Sequence, residues 1–147
     1  MHFNSWRLAI VAIVMLGEIG AAYAQNAVEQ LQQLVETTAH RLILGEQVAL
    51  AKWDNDKAVE DAPREAQVIL GAVKDGVAKG LDEASVSNFV NAQIEANKIV
   101  QYALLADWYR AGKAPEHAPI DLVKNIRPQL DEVQKSLIGA GGYGRDS

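Results

Sequence analysis

Two cationic residues, Arg41 and Lys52, stand eleven positions apart in a stretch with helical hydrophobic spacing. Eleven residues make about three helical turns, so both side chains project from one face with their Cα atoms about 16 Å apart. On that face between them lie Gly45, which leaves room above the backbone, and Val48, which offers an apolar surface. The arrangement could hold a small anion that carries an apolar ring. On spacing alone, two separately solvated cations on a long helix are the simpler explanation.

Three further charged residues, Asp61, Arg64 and Glu65, form a second group. Arg64 and Glu65 follow Asp61 by three and four positions, so the three share a face where a helix begins. Asp61 is a good N-cap, and Pro63 fits the first turn, where its missing N–H costs little. Taken alone, the group is explained by a helix cap with surface ion pairs.

Three amides, Gln93, Asn97 and Gln101, recur every fourth residue within a stripe that should face the core. A buried amide is costly unless it is hydrogen-bonded. The repeat therefore indicates either a polar, ligand-binding cavity or a hydrogen-bond network between helices.

The sequence lacks the residue patterns of the common catalytic mechanisms. It contains no cysteine, and the mature histidines, His40 and His117, lack the spacing of metal ligands. Neither a G-x-S-x-G motif nor a phosphate-binding glycine loop is present. We therefore expect a reaction without a metal, a cofactor, a nucleophile or a nucleotide. No lysine or arginine occurs between Arg7 and Arg41, so a further cation must come from the C-terminal half, from Arg127 or Lys124.

Residues 1–24 have the three parts of a secretory signal. Arg7 ends a basic segment, an apolar run covers residues 8–16, and Ala22-Tyr23-Ala24 is a cleavage pattern that predicts cutting after Ala24. The run is short for a membrane span, although a retained anchor is the alternative. We expect a periplasmic or secreted protein that has no membrane association after cleavage.

The mature chain, residues 25–147, has 123 residues and keeps the net charge of −5. That length suits one domain with its own core. The acidic balance argues against nucleic acid as a partner, because binding to phosphates favours a basic surface. An anion must instead be held by a few local cations.

Hydrophobic periodicity predicts an all-α helix bundle with one long N-terminal helix. The four expected helical segments are 26–53, 61–79, 82–110 and 120–138. Gly80 and Gly112 are expected to stop the second and third segments. Pro128 lies inside the fourth pattern and predicts a kink there, or a fresh start at Asn125. The domain should therefore span residues 25–138, with a flexible glycine-rich tail at 139–147.

Taken together, these residues resemble the all-helical, AroQ-type chorismate mutases, and the signal peptide is similar to that of the secreted gamma subclass. The resemblance covers about residues 34–138 and depends on the order Arg41, Lys52, Asp61-x-x-Arg64-Glu65, Gln93-Ile94-x-x-Asn97-x-x-x-Gln101. It implies an intramolecular rearrangement of chorismate to prephenate, a step toward aromatic amino acids that needs neither a covalent intermediate nor a cofactor.

The resemblance also implies a role for each matching residue. Arg41 would hold a substrate carboxylate, while Lys52 and Gln101 would donate to the ether oxygen of the breaking C–O bond. Asn97 would orient a carboxylate and Glu65 would accept from the ring hydroxyl. The remaining positions would complete the site, with Asp61 and Arg64 at the hydroxyl end, Val48 against the ring, and Arg127 as the extra cation from the same chain.

Three matters stay open at this point. The resemblance implies a homodimer, which no pattern in the sequence indicates. An isochorismate-pyruvate lyase on the same scaffold would use a similar set of cations, although the secretory signal and Glu65 favour the mutase. A non-catalytic periplasmic module that binds a small anion or a protein is the alternative from another class.

Overall fold

The computed structural model describes the backbone of residues 5–142 and the side chains of residues 23–140, and all regular structure in that part is helical. This confirms the predicted all-α class. The elements are α1 (Ser5–Asp54), α2 (Ala62–Ala78), α3 (Glu83–Ala111), a π-helical turn (Leu122–Ile126) and α4 (Arg127–Gly142). Across the described residues, none of these helices carries an apolar stretch long enough to cross a membrane.

The predicted cap Asp61 and the predicted stops Gly80 and Gly112 lie at helix ends, and the structure adds Asp82 as the N-cap of α3. The Asp61 carboxylate accepts a hydrogen bond from the Arg64 N–H (3.2 Å), and that of Asp82 accepts one from the Ser85 N–H (2.8 Å). Gly80 and Gly112 have positive φ angles of 77° and 71° just beyond the two helices. Glycine adopts this left-handed conformation without a steric penalty, which explains why the helices end there.

The chain divides into two compact units, residues 1–35 and residues 36–147. In the first unit, α1 begins well before the predicted start at residue 26. Most side chains of the predicted signal peptide, residues 1–24, lie outside the described part of the structure. From residue 23 to 35 the described side chains are largely exposed, among them Val28, Leu31 and Val35.

The fourth predicted segment contains the break that Pro128 indicated, but at a different residue. The Arg127 N–H donates to the Leu122 carbonyl in π-helical register, and α4 starts at Arg127 rather than at Asn125. Pro128 therefore occupies the first turn of α4, where no backbone N–H is needed. The helix continues to Gly142, four residues into the predicted tail, and residues 143–147 lie outside the described part.

Within the second unit, α3 lies against each neighbouring helix. One core cluster joins α2, α3 and α4 through Ala72, Val86, Val90, Ile94 and Ile138. Another joins α1 to α3 through Ala49, Leu50 and Trp108. Burial of these side chains is the main stabilising term for the bundle.

Candidate active site

A cavity of about 690 Å³, its open mouth included, lies between the four helices of the second unit. Every residue that the sequence analysis assigned to the site lines it: Arg41, Val48, Lys52, Asp61, Arg64, Glu65, Asn97, Gln101 and Arg127. The geometry therefore brings the two charged groups and two of the three amides together, whereas Gln93 is half-buried and does not line the cavity.

The paired cations of α1 are buried rather than solvated. Arg41 is 5% exposed and Lys52 is 8% exposed. Lys52 Nζ donates to the carbonyl oxygen of Val59, in the loop before α2. The Nε and Nη1 atoms of Arg41 have no hydrogen-bond partner among the described residues. Unpaired buried donors are unfavourable, so this end of the cavity is suited to an anionic ligand.

Burial lowers the pKa of both cations. For Arg41, desolvation outweighs the opposing effect of the Asp131 carboxylate. For Lys52, desolvation outweighs the nearby carboxylates of Asp61 and Glu65, which raise its pKa. Both groups thus carry their charge at a cost that a bound anion would reduce.

The α3 amides connect the cavity wall to α1. Asn97 Nδ2 donates to the Arg41 carbonyl (3.0 Å), and Gln101 Nε2 donates to Asn97 Oδ1 (2.7 Å). Gln101 Oε1 is buried, and no described residue forms a hydrogen bond with it. Both sequence interpretations hold in part, because the amides form an interhelical network and also line the cavity. Each NH₂ group keeps a second N–H for a ligand.

Gly45 has a different role from the expected one. It does not line the cavity, and a Cβ atom built on it would lie 2.7 Å from Asn97 Nδ2. The space above its backbone is therefore filled by the Asn97 amide rather than left for a ligand. The sequence showed that room was needed here but not which group would use it.

We expect Gly45→Ala to lower both the stability of the protein and any catalytic activity that depends on the cavity. The added methyl group must displace Asn97, and overpacking of this kind costs about 1–3 kcal/mol. Gly71→Ala in α2 is the matched control, because a Cβ atom there has no described neighbour within 4 Å. It should leave activity unchanged and raise stability slightly. Thermal unfolding and kinetics of both variants check this expectation, which an equal response of the two glycines would contradict.

Charge pairs join α2 to α4 along the cavity. Arg64 Nη2 donates to Asp131 Oδ1 (2.6 Å), and Arg127 Nη2 donates to Asp61 Oδ2 (3.1 Å). Lys124, the alternative cation, has an 84% exposed side chain and pairs with Asp121 outside the cavity. The C-terminal cation at the site is therefore Arg127, and the π-helical turn before it sets its position.

Sequence reasoning missed two charged lining residues, Asp131 and Lys98. Asp131 follows Arg127 by four positions, and this helical spacing could have linked the two. Lys98 directly follows Asn97 and belongs to no recognisable sequence pattern. Only the packing of α3 against α2 shows that it lines the cavity. The apolar lining residues missed are Val59, Val68, Ile94, Leu122 and Leu130.

Comparisons with known proteins find similarity to chorismate mutases. The family model for chorismate mutase type II matches residues 32–102. A secreted chorismate mutase of Mycolicibacterium smegmatis is 30% identical over 133 residues, covering 89% of this chain and 72% of the relative. One from Yersinia pestis is 32% identical over 126 residues, covering 82% and 65%. The crystal structure of chorismate mutase from Burkholderia thailandensis is 43% identical with a TM-score of 0.72, covering 76% of this chain and 70% of that one. The corresponding structure from Burkholderia phymatum is 44% identical with a TM-score of 0.71, covering 74% and 66%.

Proposed function

The chain belongs to the chorismate mutase type II family, and from this membership we propose that its cavity converts chorismate to prephenate. The observation that carries the proposal is the burial of Arg41, Lys52 and Gln101 around one cavity, where two guanidinium nitrogens of Arg41 have no hydrogen-bond partner among the described residues. Chorismate is a small dianion with an apolar ring, and its rearrangement breaks one C–O bond as one C–C bond forms. No proton is transferred, so positioned donors are sufficient.

Lys52 and Gln101 are proposed to donate to the ether oxygen, which gains negative charge as the C–O bond breaks. Lys52 Nζ has three N–H bonds, one directed at the Val59 carbonyl, and Gln101 Nε2 has two, one directed at Asn97. Each therefore retains a donor for the substrate. Because both are held in place before the substrate binds, they stabilise the developing charge without reorganisation.

The remaining residues are proposed to bind and orient the substrate. Arg41 pairs with one carboxylate, Asn97 helps to orient it, and Val48 packs on the ring. At the other end, Glu65 accepts from the ring hydroxyl, beside Asp61 and Arg64. Arg127 supplies the further cation from the same chain, so one protomer contains a complete site.

We expect Gln101→Glu to shift activity toward acid pH. At neutral pH a carboxylate would repel the ether oxygen, whereas protonation at low pH would restore a donor. Gln93→Glu is the matched control on the same helix, because Gln93 does not line the cavity. The profile of kcat/KM against pH should therefore move only for Gln101→Glu. An unchanged profile would contradict the proposed role of Gln101.

Product analysis with purified protein and no added cofactor tests the proposed reaction. Chorismate should be consumed and prephenate should form, whereas isochorismate should release little pyruvate. Pyruvate release without prephenate would support the lyase instead. No turnover of either compound, with Lys52→Ala tolerated, would support a non-catalytic anion-binding or protein-binding module.

Export and assembly complete the proposal. Relatives of this chain are named secreted chorismate mutases, which supports secretion. The cleavage pattern Ala22-Tyr23-Ala24 supports a signal peptide at residues 1–24, cleavage after Ala24 and a mature domain at residues 25–138. A homodimer is supported by the exposed side chains of Val28, Leu31 and Val35, which recur on one face of α1. N-terminal sequencing of the exported protein and its mass in solution test these two points.

A further inference from the structure

Lys98 of α3 lines the cavity at the edge that α2 contributes. Its side chain is only 12% exposed and is surrounded by carboxylates. Nζ lies 2.8 Å from Glu95 Oε1, 3.4 Å from Glu65 Oε2 and 3.8 Å from Glu60 Oε1. Hydrogen bonding to Glu95, and then to Glu65, raises the pKa of Lys98, which keeps the ammonium charged.

Among these carboxylates, Glu65 is the one that lines the cavity. Both of its oxygens are held, Oε1 by the backbone N–H of Asp61 (3.1 Å) and Oε2 by Lys98 Nζ. The first contact comes from the start of α2 itself and the second from α3. The carboxylate is therefore fixed from two directions before a ligand binds.

We propose that Lys98 is a positioning residue, which holds the Glu65 carboxylate where it accepts a hydrogen bond from the ring hydroxyl of the substrate. This inference rests on the proposed function. Glu60 and Glu95 lie mainly outside the cavity, with side chains 70% and 51% exposed, and exposed ion pairs contribute little to stability. The contact with Glu65 is thus the one through which Lys98 acts on the site.

Lys98→Met keeps the length of the side chain and removes its charge. We expect kcat/KM for chorismate to fall about ten- to a hundredfold, the size of effect that misplacing one group can have. Lys98→Arg, which keeps the charge, should recover part of the loss. An analogue of chorismate without the ring hydroxyl should react equally with the wild type and with Lys98→Met.

A double-mutant cycle with Glu65→Gln separates positioning from direct contact. If Lys98 acts through Glu65, the penalty of Lys98→Met nearly disappears in the Glu65→Gln background. If Lys98 instead binds a substrate carboxylate, the penalty persists there and appears mainly as a higher KM. That second result would overturn the inference, as would full activity of Lys98→Met.

Lys135→Met is the matched control, because Lys135 has the same pairing with a glutamate three residues before it (2.9 Å) outside this cavity. It should leave the kinetics unchanged. Thermal unfolding monitors the fold, and Lys98→Gln replaces Lys98→Met if the latter does not fold. No turnover by the wild type would overturn the proposed function and this inference with it. Normal wild-type turnover with an unaffected Lys98 variant would overturn this inference alone.

Discussion

Lys52→Met is expected to reduce kcat/KM for chorismate about 10²- to 10³-fold, the loss typical of one preorganised transition-state donor. Lys52 is buried in the cavity wall, and its ammonium is already oriented by the Val59 carbonyl. Methionine fills similar volume but donates nothing to the ether oxygen. The decrease should lie mainly in kcat, because the interaction strengthens as charge develops.

The control for this substitution is Lys124→Met, which removes an exposed lysine outside the cavity and should have no effect. Burial lowers the pKa of Lys52, more strongly than nearby carboxylates raise it. Because the ammonium is lost as pH rises, wild-type activity should decline on the alkaline side at a lower pH than an exposed lysine would give. A Lys52→Met enzyme within a few-fold of wild type would contradict the assignment.

Arg41→Met is expected to separate activity from stability. Removing the proposed carboxylate ligand should lower kcat/KM by about two to three orders of magnitude, with a large increase in KM. The melting temperature should stay the same or rise, because two buried guanidinium nitrogens of Arg41 find no hydrogen-bond partner in the described part of the chain. Replacing such a charge by an apolar side chain is often neutral or stabilising.

The comparison for Arg41 is Arg110→Met, in which a 78% exposed side chain is changed at the end of α3. It should alter neither activity nor melting temperature by much. Initial rates over a range of chorismate concentrations, together with thermal unfolding, measure both properties on the same samples. If Arg41→Met melts well below the wild type and keeps its activity, Arg41 is a structural residue.

Most of the helix boundaries could be predicted because their signals are local. Asp61 and Asp82 cap helices through their own side chains, and Gly80 and Gly112 end them through their own backbone angles. The shared face of Arg41 and Lys52 likewise follows from the geometry of a single helix. Such features need no knowledge of the packing partner.

The remaining features depend on contacts between distant segments. The register of α4 places Arg127, rather than Lys124, at the cavity, and a π-helical turn that no composition signal predicts sets that register. Gly45 and Lys98 acquire their roles only when α3 packs against α1 and α2. The spacing of single helices could not indicate these relationships.

We propose that fixed positive and amide groups bind the transition state. Calorimetry tests this most directly, with a bicyclic ether dicarboxylate that mimics the rearranging substrate. The Kd of the wild type for this compound should be at least about a hundredfold lower than its KM for chorismate. Lys52→Met should lose most of that preference. Equal affinity of the two proteins for the mimic, or no preference of the wild type for it, would contradict the proposal.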